Sequence, residues 1–325
     1  MNTLLSRNFD LILVMLLLLS VGSILTAACS QSQPDQGSLE NQTYTFGVSM
    51  LSMQNEFVVN VRDAMAAEAK KQNIRLIVND ARRSALSQVE HIERFISQGV
   101  DAIILNPVEV EASSSAVEMA KRAQIPIINV NSETSSEPDA FVGSNDVRAG
   151  EMALEFIAEK LDGTGSSNVL MIQGYMGQAA QIKREKGALR VLENHQDLTL
   201  LASQTAEWDR SKAMSLMENW VQSYGTEINA VFAQNDEMGL GALQALENAE
   251  MSDNVIVISI DGIKDALQAV KRGRLDATVH QDANGQGSTA IKTAIKVLEN
   301  DTTYEQKVFI PFRTVTQENV DEYLE

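Results

Sequence analysis

Short apolar runs alternate along this chain with segments whose apolar residues recur every three or four positions. Thr45 to Met50 has the length and character of a strand. The polar turn Ser52 to Asn55 follows, and then Val58, Val61, Met65 and Ala69 fall on one helical face. Arg75 to Val78 reads as a second strand. Val89, Ile92 and Ile96 mark a second helix, which should end near Gly99. Asp101 to Pro107 is a third strand running into an Asn-Pro break, followed by a helix through Ala116, Met119 and Ala120 and a strand from Ile125 to Val130. Strands and helices that alternate through short connections predict βαβ units and a parallel sheet.

After Phe141 to Asp146 the alternation begins again. Apolar strands are expected at Val169–Ile172, Leu198–Ala202, Ala230–Ala233, Val255–Ile260 and Ala277–Val279. Helical spacing links Ile182, Ala188, Leu189 and Leu192, then Met214, Met217 and Trp220, and then Met238, Leu240, Leu243 and Leu246. A last helix is expected over Gln286–Leu298. Two successive series predict an α/β fold of two similar, doubly wound parallel-sheet lobes. A cleft between such lobes is a default small-molecule site.

Polar residues recur at one structural position. Asn55, Asn106, Asn131, Asn235 and Asp261 each follow an apolar strand at its carboxyl end, the edge where ligands sit in open α/β sheets. Turn chemistry accounts for any one of them, and Asn235 or Asp236 could serve solely as a helix cap. Convergence of all five on one edge of each sheet favours a site. Amides and carboxylates without a cationic cluster suit hydroxyl groups, which both donate and accept hydrogen bonds. Trp208, at a loop start, adds an apolar face of the kind that stacks on a sugar ring.

Composition narrows the functional classes. The 325 residues include 44 acidic and 26 basic ones, a net charge of -18, which disfavours nucleic acid as a partner. His91, His195 and His280 are scattered, with neither a His-Glu-x-x-His pair nor a calcium-loop spacing, so neither metal nor cofactor is expected. The single cysteine, Cys29, excludes an intramolecular disulfide. It closes a segment that begins with Arg7 and runs uncharged and largely apolar from Leu11. A run of this length would also serve as a membrane anchor. Ala27-Ala28 before the cysteine instead resembles a bacterial lipoprotein signal, in which the cysteine becomes the lipid-bearing first residue. Leu25 stands one place further from Cys29 than that pattern prefers, with Thr26 in its slot. Residues 1–29 are therefore expected to be a lipoprotein signal with Cys29 lipidated, and residues 30–43 a polar tether. The protein is expected in the periplasm or on the outer face of the cell membrane.

Val231-Phe-Ala-Gln-Asn-Asp-Glu-Met238, Arg184-Glu-Lys-Gly187, Trp208-Asp-Arg210, Ile260-Asp-Gly262 and Ala277-Thr-Val-His-Gln281 resemble the ribose-type periplasmic binding proteins, the sugar-capturing components of ABC importers. The resemblance spans roughly Thr45 to Thr316. It implies ligand contacts from Arg184, Asn235, Asp261 and Gln281 in the second lobe, with Trp208 replacing a stacking phenylalanine. In the first lobe it implies contacts from Asn55 and Phe57. Ribose binders carry an Asp-Arg pair after the strand ending at Val130; here Asn131-Ser132 stands in its place, and Val58 replaces a second aromatic. A charged clamp on adjacent hydroxyls is lost and room is gained. A hexose, cyclitol or sugar alcohol is expected rather than ribose.

The family also implies a first lobe of residues 44–145 plus 282–310 and a second of 146–281 plus 311–325. Crossings should fall near Gly143–Asp146, His280–Ala283 and Ile310–Arg313, with hinge closure around the ligand. The implied partners are an ABC permease and, through the lipid, the membrane; the protein is expected to be a monomer. A sugar-responsive repressor core shares this fold but would need a basic helix-turn-helix before the first strand. A sensory lipoprotein signalling to a membrane receptor would use the same closed lobes. A sugar-processing enzyme would need an acid/base pair such as Asp236 and Asp261. Both are better explained as hydroxyl acceptors, and no catalytic residue is expected.

Overall fold

Side-chain caps and a glycine stop delimit the first elements. β1 (Thr45–Met50) leads through a polar turn to α1 (Glu56–Lys71), whose first turn is capped by Asn55: its Oδ1 accepts from the Val58 N–H at 3.2 Å. β2 (Arg75–Asp80) precedes α2 (Ala85–Gln98), which is capped by Ser84 and ended by Gly99 at φ 65°. β3 (Ala102–Leu105), α3 (Ser114–Arg122), β4 (Ile127–Asn131) and β5 (Ala140–Gly143) complete the first series. The computed structural model describes residues 44–163 and 165–324. The signal and tether expected over residues 1–43, Cys29 included, lie outside the described residues.

The second series comprises α4 (Asp146–Leu161), β6 (Ser167–Gln173), α5 (Ala179–Asn194), β7 (Leu198–Thr205), α6 (Arg210–Tyr224), β8 (Ala230–Ala233), α7 (Asp236–Asn248), β9 (Ile256–Asp261), α8 (Lys264–Lys271) and β10 (Ala277–His280). α9 (Ala283–Leu298), β11 (Lys307–Phe309) and β12 (Arg313–Thr316) follow. One sheet has the order β11-β5-β4-β3-β1-β2 and the other β12-β10-β9-β8-β6-β7.

Both sheets are buried on both faces, which is why their central strands read as continuous apolar runs. In β3 and β4, Ala102, Ile104, Ile128 and Val130 join the core beneath α1 and α9, whereas Ile103, Leu105 and Ile127 join Ile92, Phe95 and Ala116 of α2 and α3. The second sheet divides likewise. Met171, Phe232 and Ile260 pack on α4 and α5, and Ile172, Val231 and Val257 share a core with residues of α6, α7 and α8. This is the doubly wound, two-lobed arrangement that the alternation implies.

The chain passes between the sheets at residues 144–145, 281–282 and 310–312. Every strand pair is parallel except β10–β12, in which His280 faces Arg313 and Ala277 faces Thr316. The reason is geometric. β11 leaves the first sheet at its carboxyl edge, and that edge faces the carboxyl edge of the second sheet. A strand crossing without a turn must therefore run backwards against β10.

Three features depart from the periodicity. The first turns of α4 carry no large apolar residue on the buried face, which begins with Ala149, Gly150 and Ala153 before Leu154, Phe156 and Ile157. α8 is only eight residues long. α5 buries Ala180, Gln181, Arg184, Gly187 and Ala188, whereas Ile182 and Leu189, which helical spacing assigns to the inward face, are exposed. The small and polar side is turned inward because it meets α4 and a polar cleft.

Candidate ligand-binding cleft

The facing carboxyl edges of the two sheets enclose a cavity of about 430 Å3, including the part open to solvent. Asn55, Phe57, Asn131, Arg184, Trp208, Asn235, Asp261 and Gln281, the eight residues singled out from sequence, all line it. Leu51, Ser52, Val58, Arg83, Gln178 and Ala180 complete the wall. The lobes touch across the cleft: the Val110 N–H donates to the Gly177 carbonyl at 3.0 Å, the Lys264 N–H to Glu56 Oε1 at 3.3 Å, and Lys183 pairs with Glu133.

Arg184 is the hub of the second lobe. α4 and α5 cross at Gly150 and Gly187, where an added Cβ would lie 2.0 Å from the Arg184 and Val147 carbonyl oxygens respectively. That approach brings the buried Arg184 Nε to Asp146 Oδ1 at 2.8 Å. Nη1 donates to the Gln234 carbonyl and Nη2 to Gln281 Oε1 at 3.1 Å, and Asp261 Oδ1 lies 3.7 Å from Nη1. Sequence singled out Arg184 as a ligand contact; the structure adds Asp146 as the partner that orients it.

The Gln234-Asn235-Asp236 triplet divides its duties. Gln234 Oε1 accepts from the Gly174 N–H at 2.9 Å and its amide donates to the Gln181 carbonyl, tying the end of β8 to the loop after β6 and to the first turn of α5. Asp236 accepts from the Ser259 and Thr278 hydroxyls and from the Ile263 N–H at 2.8 Å, so it holds β9, β10 and the start of α8 together and stands outside the cavity lining. Asn235 both caps and lines: its Oδ1 accepts from the Met238 N–H at 3.0 Å, while its buried Nδ2 has no partner among the described residues. Gln281 repeats the pattern, with Oε1 taken by Arg184 and a buried Nε2 left without a partner. Because the cap takes the amide oxygen in Asn55 and in Asn235, the group each has left is a donor.

In the first lobe, Asn106 stands outside the lining. It accepts from the Leu51 N–H at 3.3 Å and donates to the Val130 carbonyl and to Asn131 Oδ1, so it positions the cleft rather than forming it. Asn131, at φ 64°, also donates to Gln286 Oε1 at 3.3 Å and is held from both sides. Ser132 is buried, and its hydroxyl has no partner among the described residues.

Trp208 sits at φ 61° after Glu207 at φ 56°. Its indole Nε1 donates to Gln178 Oε1 at 2.7 Å, its ring lies against Gly174, and the Arg184 guanidinium is 5.7 Å from the ring centroid. Only a residue without a side chain fits beneath that ring, since a Cβ on Gly174 would fall 1.8 Å from its edge. Trp208 thus packs and lines at once.

Asp261, at φ 133°, supplies the acceptor. Burial pushes its carboxyl well above the usual carboxylate range; Arg184 pulls it back, and Asp236, Asp146 and Glu237 push it further up. Burial likewise raises Asp146 and Asp236. Among the described residues no group of three or more His, Cys, Asp or Glu is placed to hold a metal ion. The cleft is therefore a donor-rich, hydrogen-bonding surface with one strong acceptor and an aromatic wall.

Comparison with known proteins places this geometry. Residues 46–302 match the periplasmic binding protein domain. The chain is 36% identical to a xylitol-binding protein of Mycolicibacterium smegmatis over 88% of this chain and 80% of that protein. It is 34% identical to the ribose import binding protein RbsB of Bacillus subtilis over 92% and 97%. Among solved structures, an ABC transporter solute binding protein of Bacillus halodurans with bound myo-inositol superposes with a TM-score of 0.82 at 42% identity, covering 87% of this chain and 97% of that one. Two α/β lobes facing each other across a polar cleft, a family match over most of the chain and relatives spanning nearly its whole length lead to one conclusion: the chain belongs to the type I periplasmic binding protein family, among its ribose-type sugar-binding members.

Proposed function

We propose that the protein captures a neutral hexose, cyclitol or sugar alcohol between its lobes and delivers it to an ABC importer. One observation carries this reading. Asn235 Nδ2 and Gln281 Nε2 are buried donors on the cavity wall with no partner among the described residues, and they share that wall with the Asp261 carboxylate. A buried donor left unmet costs about 1–3 kcal/mol. A polyhydroxylated ligand meets such donors with hydroxyl oxygens and returns its own protons to Asp261. The Trp208 and Phe57 rings cover its apolar face.

Two features support a ligand other than ribose. Asn131-Ser132 places neutral groups where ribose binders carry a charged pair, and the Asn131 amide is already engaged by Asn106 and Gln286. Val58 lines the wall where a second ring would fill space. Six-carbon ligands should accordingly bind more tightly than ribose.

The proposed lobes are residues 44–145 plus 282–310 and residues 146–281 plus 311–325, rotating about the crossings at 144–145, 281–282 and 310–312. Contacts such as Val110 to Gly177 would form on closure. The protein acts as a monomer with a complete site, held to the membrane through Cys29 and working outside the cytoplasm as a binding protein rather than an enzyme. A thermal-shift screen of pentoses, hexoses, cyclitols and polyols tests the reading. A true ligand at 100 times its Kd should add about 2.7 kcal/mol of stability; no shift with any of them would refute it.

A further inference from the structure

We infer that Arg83 is a first-lobe specificity residue, donating to the ligand's hydroxyl oxygens and rejecting ligands that carry an ammonium group. The inference rests on the polyol reading of the cleft and deepens it.

Among the described residues, three charged ones line the cavity: Arg83, Arg184 and Asp261. Arg184 is committed to Asp146, the Gln234 carbonyl and Gln281. The side chain of Arg83 makes neither a hydrogen bond nor an ion pair among the described residues, so it is the cation of the wall left for a ligand. It comes from the turn between β2 and α2, remote in sequence from the Asn131-Ser132 position where a clamp is missing.

The turn is built to hold it. Arg82 at φ 49° and Arg83 at φ 65° are consecutive non-glycine residues in the left-handed region, which L side chains rarely adopt. Three contacts sustain them: the Arg82 N–H donates to Asp80 Oδ1 at 2.9 Å, the Arg83 N–H to the Leu51 carbonyl at 2.8 Å and the Ser84 N–H to the Ala81 carbonyl at 2.9 Å. Asp80 Oδ1 also accepts from Met53, so the turn is bound to the Leu51–Met53 segment, of which Leu51 and Ser52 line the cavity. Strain maintained in this way gathers at ligand-contacting positions. A fixed cation here strengthens hydrogen bonds to neutral hydroxyls. It repels a protonated amine, which Asp261 alone would attract.

Calorimetric titration at pH 7 of wild type, Arg83→Met and Arg83→Lys tests this with paired probes: myo-inositol and its monoamino analogue, and D-glucose and D-glucosamine. Methionine keeps the Cβ and stem, so the turn is preserved and the apo melting temperature should not move. Arg83→Met should weaken the neutral probe that binds by about 10- to 100-fold. It should also reduce the preference of that probe over its amine by a similar factor, a change that a merely structural role would not produce. Arg83→Lys should retain the preference. If wild type binds a neutral probe and Arg83→Met leaves both affinity and preference unchanged, this inference is overturned while the cleft reading stands. If wild type binds no neutral probe, both fall.

Discussion

Asp261→Asn separates the ligand's needs from the fold's. The carboxyl is buried beside Asp146 and Asp236, with Arg184 Nη1 3.7 Å from its Oδ1, and burial raises its pKa well above the carboxylate range. A carboxyl whose folded pKa is raised contributes stability below its unfolded value and loses it as pH rises through the folded one. The apo wild type should therefore lose stability relative to Asp261→Asn, which cannot ionise, as pH rises above the ordinary carboxylate range and through the raised pKa. The melting-temperature difference in favour of the variant should widen as pH rises. Binding should move the other way. Exchanging a charged acceptor for an amide removes a charge-assisted hydrogen bond of about 1.5–3 kcal/mol, or roughly 10- to 150-fold in Kd. Melting curves across pH and calorimetry with the best polyol read both quantities. A variant that binds within threefold of wild type, or that melts lower at pH 8, would refute the reasoning.

Other substitutions probe different layers. Arg184→Met strands Asp146 and Asp261 without their buried cation and should destabilise the protein by about 3–5 kcal/mol, seen as a large fall in denaturant midpoint. Gly174→Ala forces the Trp208 ring off its seat, so polyol affinity should drop while folding costs only about 1–3 kcal/mol, measured by calorimetry and urea titration. Asp236→Asn should weaken the β9–β10 junction and lower the melting temperature, with ligand affinity changed little in the fraction that remains folded. Cys29→Ser should release the protein from the membrane fraction; persistence there in uncleaved form would point to a transmembrane anchor.

The sequence makes the strand edges legible because parallel strands buried on both faces are unbroken apolar runs, and the polar residue after each run marks the ligand edge. Asn235 illustrates both the strength and the limit of that signal. Cap and ligand contact are alternatives on paper, yet the side chain has two ends and can serve both. Asp236, adjacent and equally polar, turns wholly to the fold, a difference set by Ser259 and Thr278 on neighbouring strands, far off in sequence. The first half of α4 escaped the periodicity because close packing on α5 at Gly150 and Gly187 demands small residues, and the exposed Ile182 and Leu189 misstate the inward face of α5 for the same reason. Arg83 escaped because a basic residue in a turn has no distinguishing pattern, and only the docking of that turn on Leu51 brings it to the cavity.

Titration of the unmodified protein with myo-inositol, D-glucose, a six-carbon sugar alcohol and D-ribose tests the central claim most directly. The account predicts saturable one-to-one binding of at least one six-carbon ligand, more tightly than ribose. Ribose binding more tightly than every six-carbon candidate, or no binding by any of them, would contradict it.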